Sequence, residues 1–468
     1  MFVKIEKFIF YLFIIALPFQ TRVILKIWGS SFNEWTSAFL YGTDLLLFLI
    51  FILWVGRSKT IFDLPSFKKI SRSNIFLLVF LIISALSLVV ADHLVLGVYR
   101  LIKILEFVGL YYYTRSSVGK VITLAGLFSV VMISAFFQSI IAIWQSLFQH
   151  NLGLKWLGET VLRTNFSGVA VVSWTGGKFL RAYGTTPHPN VLASWLFLGI
   201  FAFCFLFLHI RENLMQISSQ GRSGYSFYEN WIQKLIISKI FGKPFLLTIY
   251  ATLLFGLFFT FSRVSIGLLL LGFIIGLFFV WLKRNKPQLN KNKILKKHII
   301  LLSIITLGVM FIFGFLYWPQ VHSRIFISGQ EQAVTQRVFY LKIAKEVILK
   351  RPWLGVGLGQ FVPQMMALFK NYPNYFYQPV HNIYLLIMDE IGFLGLTAFL
   401  GWLASLVIEY RQTTKFREFY QISFFLVFIC VLAMGLFDHF LWTLQQGQLI
   451  FWMTLGIIPA FHKLEKVI

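Results

Sequence analysis

Negative charge is scarce in this chain. Of 468 residues, 17 are Asp or Glu against 42 Lys or Arg, and charged residues of both signs make up only 13%. Soluble domains carry about a quarter of their residues as charges, so composition argues against a water-soluble fold. Cysteine is nearly absent too. Cys204 and Cys430 both fall inside apolar runs, where they read as small hydrophobes, so no disulfide framework or zinc site is expected. The sequence also has no Asp-x-Asp pair, no P-loop and no Gly-x-Ser-x-Gly. Metal-dependent transfer from sugar nucleotides and nucleotide-driven pumping therefore lose their usual apparatus.

Hydrophobic residues, by contrast, make up 58% of the chain, and the mean hydropathy is +0.77. Apolar runs near the ~20 residues that cross a bilayer recur along almost its whole length. No stretch between them is long enough for an independent soluble domain, so residues 1–468 read as one membrane domain. The basic N-terminal run MFVKIEKFIFYLFIIALPFQTRV lacks a small-x-small cleavage site and is expected to remain as the first helix. Spans are predicted near 8–24, 39–56, 75–91, 94–114, 121–148, 189–208, 244–261, 265–282, 299–317, 383–408, 420–437 and 447–461. The predicted fold class is thus an all-α polytopic membrane protein of about twelve transmembrane helices.

The formal net charge of +25 has a plain source in such a protein, because cytoplasmic loops collect Lys and Arg. No nucleic-acid partner follows from it. With the N-terminus inside, the basic groups Arg57/Lys59/Lys68/Lys69/Arg72, Arg115/Lys120, Arg211 through Lys243, the run 283–298, Arg411/Lys415/Arg417 and Lys463/Lys466 all become cytoplasmic, as do both termini. An interfacial helix is expected at NWIQKLIISKI. Two outer segments break the charge rule. Residues 149–188 carry Lys155, Arg163, Lys178 and Arg181 against Glu159. Residues 318–381, between the ninth and tenth spans, carry Arg324, Arg337, Lys342, Lys345, Lys350, Arg351 and Lys370 against Glu331 and Glu346. Long loops tolerate charge, but basic charge facing away from the cytoplasm also suits an anionic ligand such as a lipid phosphate.

Candidate residues concentrate at this outer level. Val334, Val338, Leu341 and Ile348 form a helical stripe that can lie on the membrane or on neighbouring helices, with Arg337 off it. That helix should end before Pro352. Gly355 and Gly357 follow, in a segment that lets backbone approach a ligand or a helix. His381 stands at the mouth of the tenth span and Asn382 can cap it. Asp389 lies only ~80° around the helix from His381 and two turns deeper, so it should face a cavity or a partner. Arg263 sits in a connection so short that its flanking helices must form a hairpin, and it either snorkels or points into a site. His188, between two prolines, is either a rigid turn residue or part of the same site. Arg100, Lys103 and Glu106 share one helical face as an ion-pair ladder. Asp438-His439 and Gln445/Gln446/Gln448 bracket the last outer turn, where they could line a polar cavity or bond between helices.

Taken together, the Ser262-Arg263 hairpin, Arg337 ahead of Pro352-Trp353-Leu354-Gly355, the His381-Asn382 helix start and the His188-Pro189-Asn190 turn resemble the O-antigen ligase and O-antigen polymerase family of bacterial membrane glycosyltransferases. The resemblance covers most of the chain as topology. It implies a GT-C-like fold in the bacterial inner membrane, with the active site on the extracytoplasmic face. The implied reaction is metal-independent and needs no cofactor. It transfers a glycan from an undecaprenyl-pyrophosphate carrier to an acceptor hydroxyl on a glycan, lipid or protein. On this reading His381 is the base, or positions the hydroxyl, and Arg263 and Arg337 hold the pyrophosphate. His188, Asn382, Asp389, Gly355 and Gly357 are supporting residues, and attack opposite the leaving group inverts the anomeric centre. Two alternatives remain open at this stage: a flippase or transporter of the same lipid-linked oligosaccharide, and a structural protein whose loops bind anionic surface polymers.

Overall fold

The computed structural model describes residues 2–29, 31–57, 71–210, 242–282, 293–326, 332–370, 372–413 and 419–460. A helix lies at each position where hydropathy predicts a span: α1 (Phe2–Ala16), α2 (Gly42–Arg57), α3 (Arg72–Leu86), α4 (Leu94–Ser117), α5 (Leu124–Phe148), α6 (Pro189–Phe205), α7 (Gly242–Phe259), α8 (Arg263–Leu282) and α9 (Lys293–Leu316). The segment that follows folds into α10 (Trp318–Ile325), α11 (Gln332–Lys350) and α12 (Phe361–Leu368). Beyond it come α13 (Ile383–Thr413), α14 (Phe419–Phe437), the one-turn α15 (Phe440–Thr443) and α16 (Gln445–Ala460). Among the described residues, five helical stretches are long and apolar enough to cross a membrane: Arg72–Val90, Leu124–Phe148, Pro189–Leu208, Lys296–Leu316 and Ile383–Gln412. Shorter apolar helices cover Pro244–Phe259, Arg263–Phe279 and Gln421–Phe437.

Local chemistry starts these helices where the sequence suggests. Thr123 accepts a hydrogen bond from the Gly126 N–H to open α5, and Ser71 does the same for α3 through Asn74. Pro189 occupies the first turn of α6, where its missing N–H costs nothing. Packing then separates core from perimeter. In the apolar window of α6, 89% of residues are buried, against 28% for α3 and 33% for α9, so α6 is a central post and the other two face outward. Helix α5 packs on α6, α7 and α1; α16 packs along α4; and α13 packs along α3. Lipid tails are as apolar as Leu, so close contact between side chains, and not transfer from water, holds such helices together. Trp402 of α13 and Trp452 of α16 stack at 4.9 Å, both fully buried.

Three features depart from expectation. The chain is not purely helical: β1 (Arg22–Ile27) pairs antiparallel with β2 (Ser37–Tyr41), and β3 (Val171–Trp174) with β4 (Gly177–Leu180). These hairpins lie in segments too short or too polar to give a hydropathy signal. Second, the buried face of α11 is Tyr340, Ile343, Ala344 and Val347, while Val338 and Leu341 of the expected stripe are nearly half exposed. Aromatic packing decides this, because Tyr340 closes on Phe376 and His381. Third, α13 is interrupted at Gly392, with φ 76° and ψ −176°. The break exposes carbonyls that the Pro352–Gly357 loop uses: Val356 and Gly357 donate to Asp389 and Glu390 at 2.9 Å, and Phe393 donates to Pro352 at 2.7 Å. Non-helical backbone at this depth is tolerated because protein covers it. The interfacial helix expected at 230–240 and the basic residues of 211–241 and 283–292 lie outside the described residues.

Candidate active site

The candidate site forms where four connections meet: residues 181–190 before α6, the α7–α8 hairpin, residues 379–382 before α13, and the 438–443 turn. Arg181 is buried and fastens the first to the second, its Nε donating to the Thr260 carbonyl and its Nη2 to Asn190 Oδ1, both at 2.7 Å. Asn190 in turn donates from Nδ2 to Asp438 Oδ2 at 2.5 Å, tying α6 to the 438–443 turn. Asp438 Oδ1 accepts the His439 N–H at 2.7 Å, and His439 Nδ1 shares a 2.8 Å hydrogen bond with Thr443 Oγ1. The His381 ring stands perpendicular to that of His439 with centroids 4.9 Å apart, and Tyr340 stacks parallel to it at 5.8 Å. His381 Nδ1 is buried with no hydrogen-bond partner among the described residues.

Beside this chain of side chains runs a cleft of about 450 Å³, in part open to solvent, into which Arg181, Arg263, Arg324 and Arg337 converge. Ser262, Ser265 and Asn190 supply neutral polar groups, and Asp438 is the single carboxylate on its wall. Arg263 Nη1 also donates to the Arg324 carbonyl at 3.3 Å. Among the described residues, four guanidinium groups and one carboxylate line the cleft, an excess of positive charge. Burial, and then the adjacent Arg324, pull the Arg181 pKa down to about 9, which still leaves it charged at neutral pH. Burial lowers the pKa of His381, opposed by Asp438 and by a backbone hydrogen bond at Pro379 and reinforced by Arg337. Burial and neighbouring charge carry His188 and His439 down to about 3. Burial alone would raise the Asp438 carboxyl, but the three histidines and the Asn190 hydrogen bond outweigh it and hold the group below the usual carboxylate range. The site at neutral pH is therefore three neutral imidazoles around one carboxylate, beside fixed positive charge.

Nitrogen and oxygen donors of His381, Asp438 and His439 lie within 4.8 Å of one another, a spacing that could take a metal ion. Both Asp438 oxygens and His439 Nδ1 are already engaged, however, and the guanidinium groups at the wall repel a cation.

Of the residues picked from sequence, the fold brings Arg263 and Arg337 into one cleft; His381 and His188 do not line it but interact electrostatically with its Asp438 and Arg337. His188 has a second task, since its Nδ1 accepts the Asn190 N–H at 3.2 Å as the cap of α6. Asn382 caps α13, accepting from Tyr384 and Leu385 at 2.9 and 3.0 Å, and does not line the cleft. Asp389 is fully buried below, with neither carboxylate oxygen hydrogen-bonded among the described residues. Gly355 and Gly357 press on the backbone of Asp389–Glu390 and on Ala91. These last three form the joint between loop and helix and do not line the arginine cleft. Sequence reasoning passed over Arg181, Arg324 and Asn190 as site residues and left Asp438-His439 undecided. The usable signal was position, a titratable pair ending an apolar run at the same outer level as His381.

Fold and site together define a membrane protein of apolar helices with an arginine-lined cleft beside three neutral histidines. Residues 248–400 match the family model described as O-Antigen ligase, which supports kinship with the O-antigen ligase and polymerase family. The match includes Arg263, Arg337 and His381; Arg181, His188 and Asp438 come from outside it. No curated protein matches the chain.

Proposed function

We propose that the whole chain, residues 1–468, acts as one bacterial inner-membrane glycosyltransferase. It moves a glycan from an undecaprenyl-pyrophosphate carrier to an acceptor hydroxyl on the extracytoplasmic face, without a metal and with inversion. The observation that carries this reading is the convergence of four arginines beside an imidazole kept neutral by burial. Pyrophosphate leaving an anomeric carbon develops charge that planar guanidinium groups meet with paired hydrogen bonds. We assign to His381, a neutral imidazole near Asp438 and Arg337, the role of taking the proton of the attacking hydroxyl. Asp438 steadies the imidazolium that forms. A lipid-borne substrate has support of its own. An apolar crevice of about 900 Å³ lies between α6, α8, α9 and α14, lined by Phe201, Leu269, Phe273, Leu302, Val427 and Cys430. Helices α8 and α14 also frame the arginine cleft through Arg263 and Met434, so the same two helices border both spaces.

The test is glycan transfer by purified protein in lipid nanodiscs, with lipid-linked glycan extracted from the host as donor. Transfer is expected to persist in chelator. Arg337→Lys, which keeps charge but loses the planar fork, is expected to lose most activity. Equal activity of the lysine variants at 263 and 337 would reduce those residues to a diffuse field. Movement of donor across the bilayer without any glycosidic product would identify a flippase instead.

A further inference from the structure

Helix α11 has two unlike faces. At about 100° per residue, its buried Tyr340, Ile343, Ala344 and Val347 fall on one side, and Val338, Leu341, Lys345 and Leu349 fall on the other. That second face is open: Leu349 is 71% exposed, and Val338 and Leu341 are nearly half exposed. Lys342 and Lys350 flank it, and Arg351 and Trp353, the latter 64% exposed, continue it past the helix end. None of Lys342, Lys345, Lys350 and Arg351 forms an ion pair among the described residues. Glu346 is the one carboxylate in this stretch, so positive charge is in excess.

Neighbouring helices fix the depth of this face. Phe76 of α3 meets Gly401 of α13, Phe80 meets Phe399 and Ile83 meets Gly395. The two helices therefore run antiparallel, and Phe393 stands level with the end of α3. Both belong to stretches long and apolar enough to cross a membrane, Arg72–Val90 and Ile383–Gln412. Arg351 donates from Nη1 to the Val90 carbonyl at 3.4 Å, and the Trp353 ring stands edge-on to Phe393 at 6.3 Å. Val89 and Phe393 are themselves exposed. The open face of α11 thus continues the apolar perimeter of α3 and α13 at the level where those two stretches meet a connecting loop. In a bilayer, hydrocarbon gives way to headgroups at that level, and Trp, Lys and Arg collect there.

We propose that this face of α11 rests on the bilayer surface nearest the arginine cleft and binds acidic phospholipids there. Val338, Leu341, Leu349 and Trp353 lie among the upper acyl chains, while Lys342, Lys345, Lys350 and Arg351 reach the phosphates. The residue pattern favours lipid over a protein partner. Lysine is depleted in protein interfaces. On a bilayer, a lysine between leucines lays its stem along the apolar stripe and its ammonium among the headgroups. Each basic residue held near an acidic surface strengthens attachment by about fivefold, and salt screens the gain. The far face of the same helix holds Tyr340 against Phe376 and His381, and Arg337 reaches the cleft from its first half. The lipid beneath α11 therefore sets the position of that arginine. This surface is independent of the transfer reading, since it requires no glycan.

The experiment uses the full chain with Cys204 and Cys430 replaced by Ala. One cysteine is placed at Leu349, or at exposed Ser173 in β3 as the reference, and carries an environment-sensitive fluorophore. The protein enters nanodiscs, one copy per disc, of phosphatidylcholine alone or mixed with phosphatidylglycerol, and lipid with a nitroxide just below the headgroup serves as quencher. The label at 349 is expected to be quenched and the label at 173 to be spared. Phosphatidylglycerol should deepen quenching at 349 by about twofold or more, and added salt should reverse the gain. Joint Lys342→Gln, Lys345→Gln and Lys350→Gln should abolish the difference between the two lipids and leave the thermal midpoint in place. A label at 349 quenched no better than the one at 173 overturns the proposal, as does equal quenching in the two lipids. Shielding that arises only when two copies share a disc gives the face to a second copy, and overturns it too. No readout here involves glycan transfer, so each of these failures leaves that reading untouched.

Discussion

At the scale of single residues, the decisive property of His381 is that burial keeps it neutral. Its pKa lies below the ordinary 6.5, so the imidazole remains a competent base at pH 6.5 and is lost only as pH falls through the lowered value. The acid limb of kcat/KM for transfer is therefore expected below pH 6.5, and a limb above it would point to another base. His381→Ala removes a group whose contribution is about 10²–10⁴-fold, so transfer should drop by that factor while donor binding, measured separately, persists through the arginines. A variant with near wild-type rate would take the base away from this histidine. Sequence singled out His381 and Arg263 because each stands at the end of an apolar span, and Arg337 through its basic loop and the family resemblance. It could not show that Arg181 and Asp438 join them. That depends on Asn190 bridging positions 181 and 438, contacts made by chain segments 248 residues apart.

Among elements, α13 carries the most consequence. Its apolar pattern made a single span legible, but nothing in the pattern distinguishes a straight helix from one broken at Gly392. The break becomes understandable once the Trp353–Gly357 loop is seen to donate to its freed carbonyls. A Cβ at position 392 would fall 2.1 Å from the Trp353 carbonyl oxygen, on a backbone with φ 76°. Both defects act together in Gly392→Ala, and strain of this kind costs about 1–3 kcal/mol before any clash is added. The variant is expected to lower the thermal midpoint in detergent and to loosen the 352–359 loop, seen as faster amide exchange there. An unchanged midpoint would mean that the loop docks independently of the kink. The small hairpins were illegible for a different reason. Strands this short carry too few alternating positions to register, and the β1–β2 pair is fixed by contacts such as Arg22 on Glu34 and Tyr41.

For the whole molecule, the charge asymmetry of the short loops orders the helix ends in sequence, and the fold sorts those same ends in space. Residues expected inside meet one another: Arg57 reaches Glu6 at 2.9 Å and Ser117 at 3.1 Å, and Arg115 pairs with Glu409. Residues expected outside gather at the arginine cleft. Side chains chosen independently of any membrane thus fall into two separate sets, which is what a consistent up-and-down threading requires. The remaining question is which set faces the cytoplasm, and that can be read directly by labelling. With Cys204 and Cys430 first replaced by Ser or Ala, a single cysteine is introduced at Trp156, 92% exposed in the 149–188 loop, or at exposed Lys120 between α4 and α5. In intact spheroplasts an impermeant maleimide is expected to label the first and not the second, and both should react once the membrane is permeabilised. The expectation rests on the Lys and Arg bias of short loops, which sets orientation more strongly than the charge of long ones. Labelling of Lys120→Cys alone in intact cells would invert the protein, place the arginine cleft in the cytoplasm, and so remove lipid-linked glycan on the outer leaflet as its substrate.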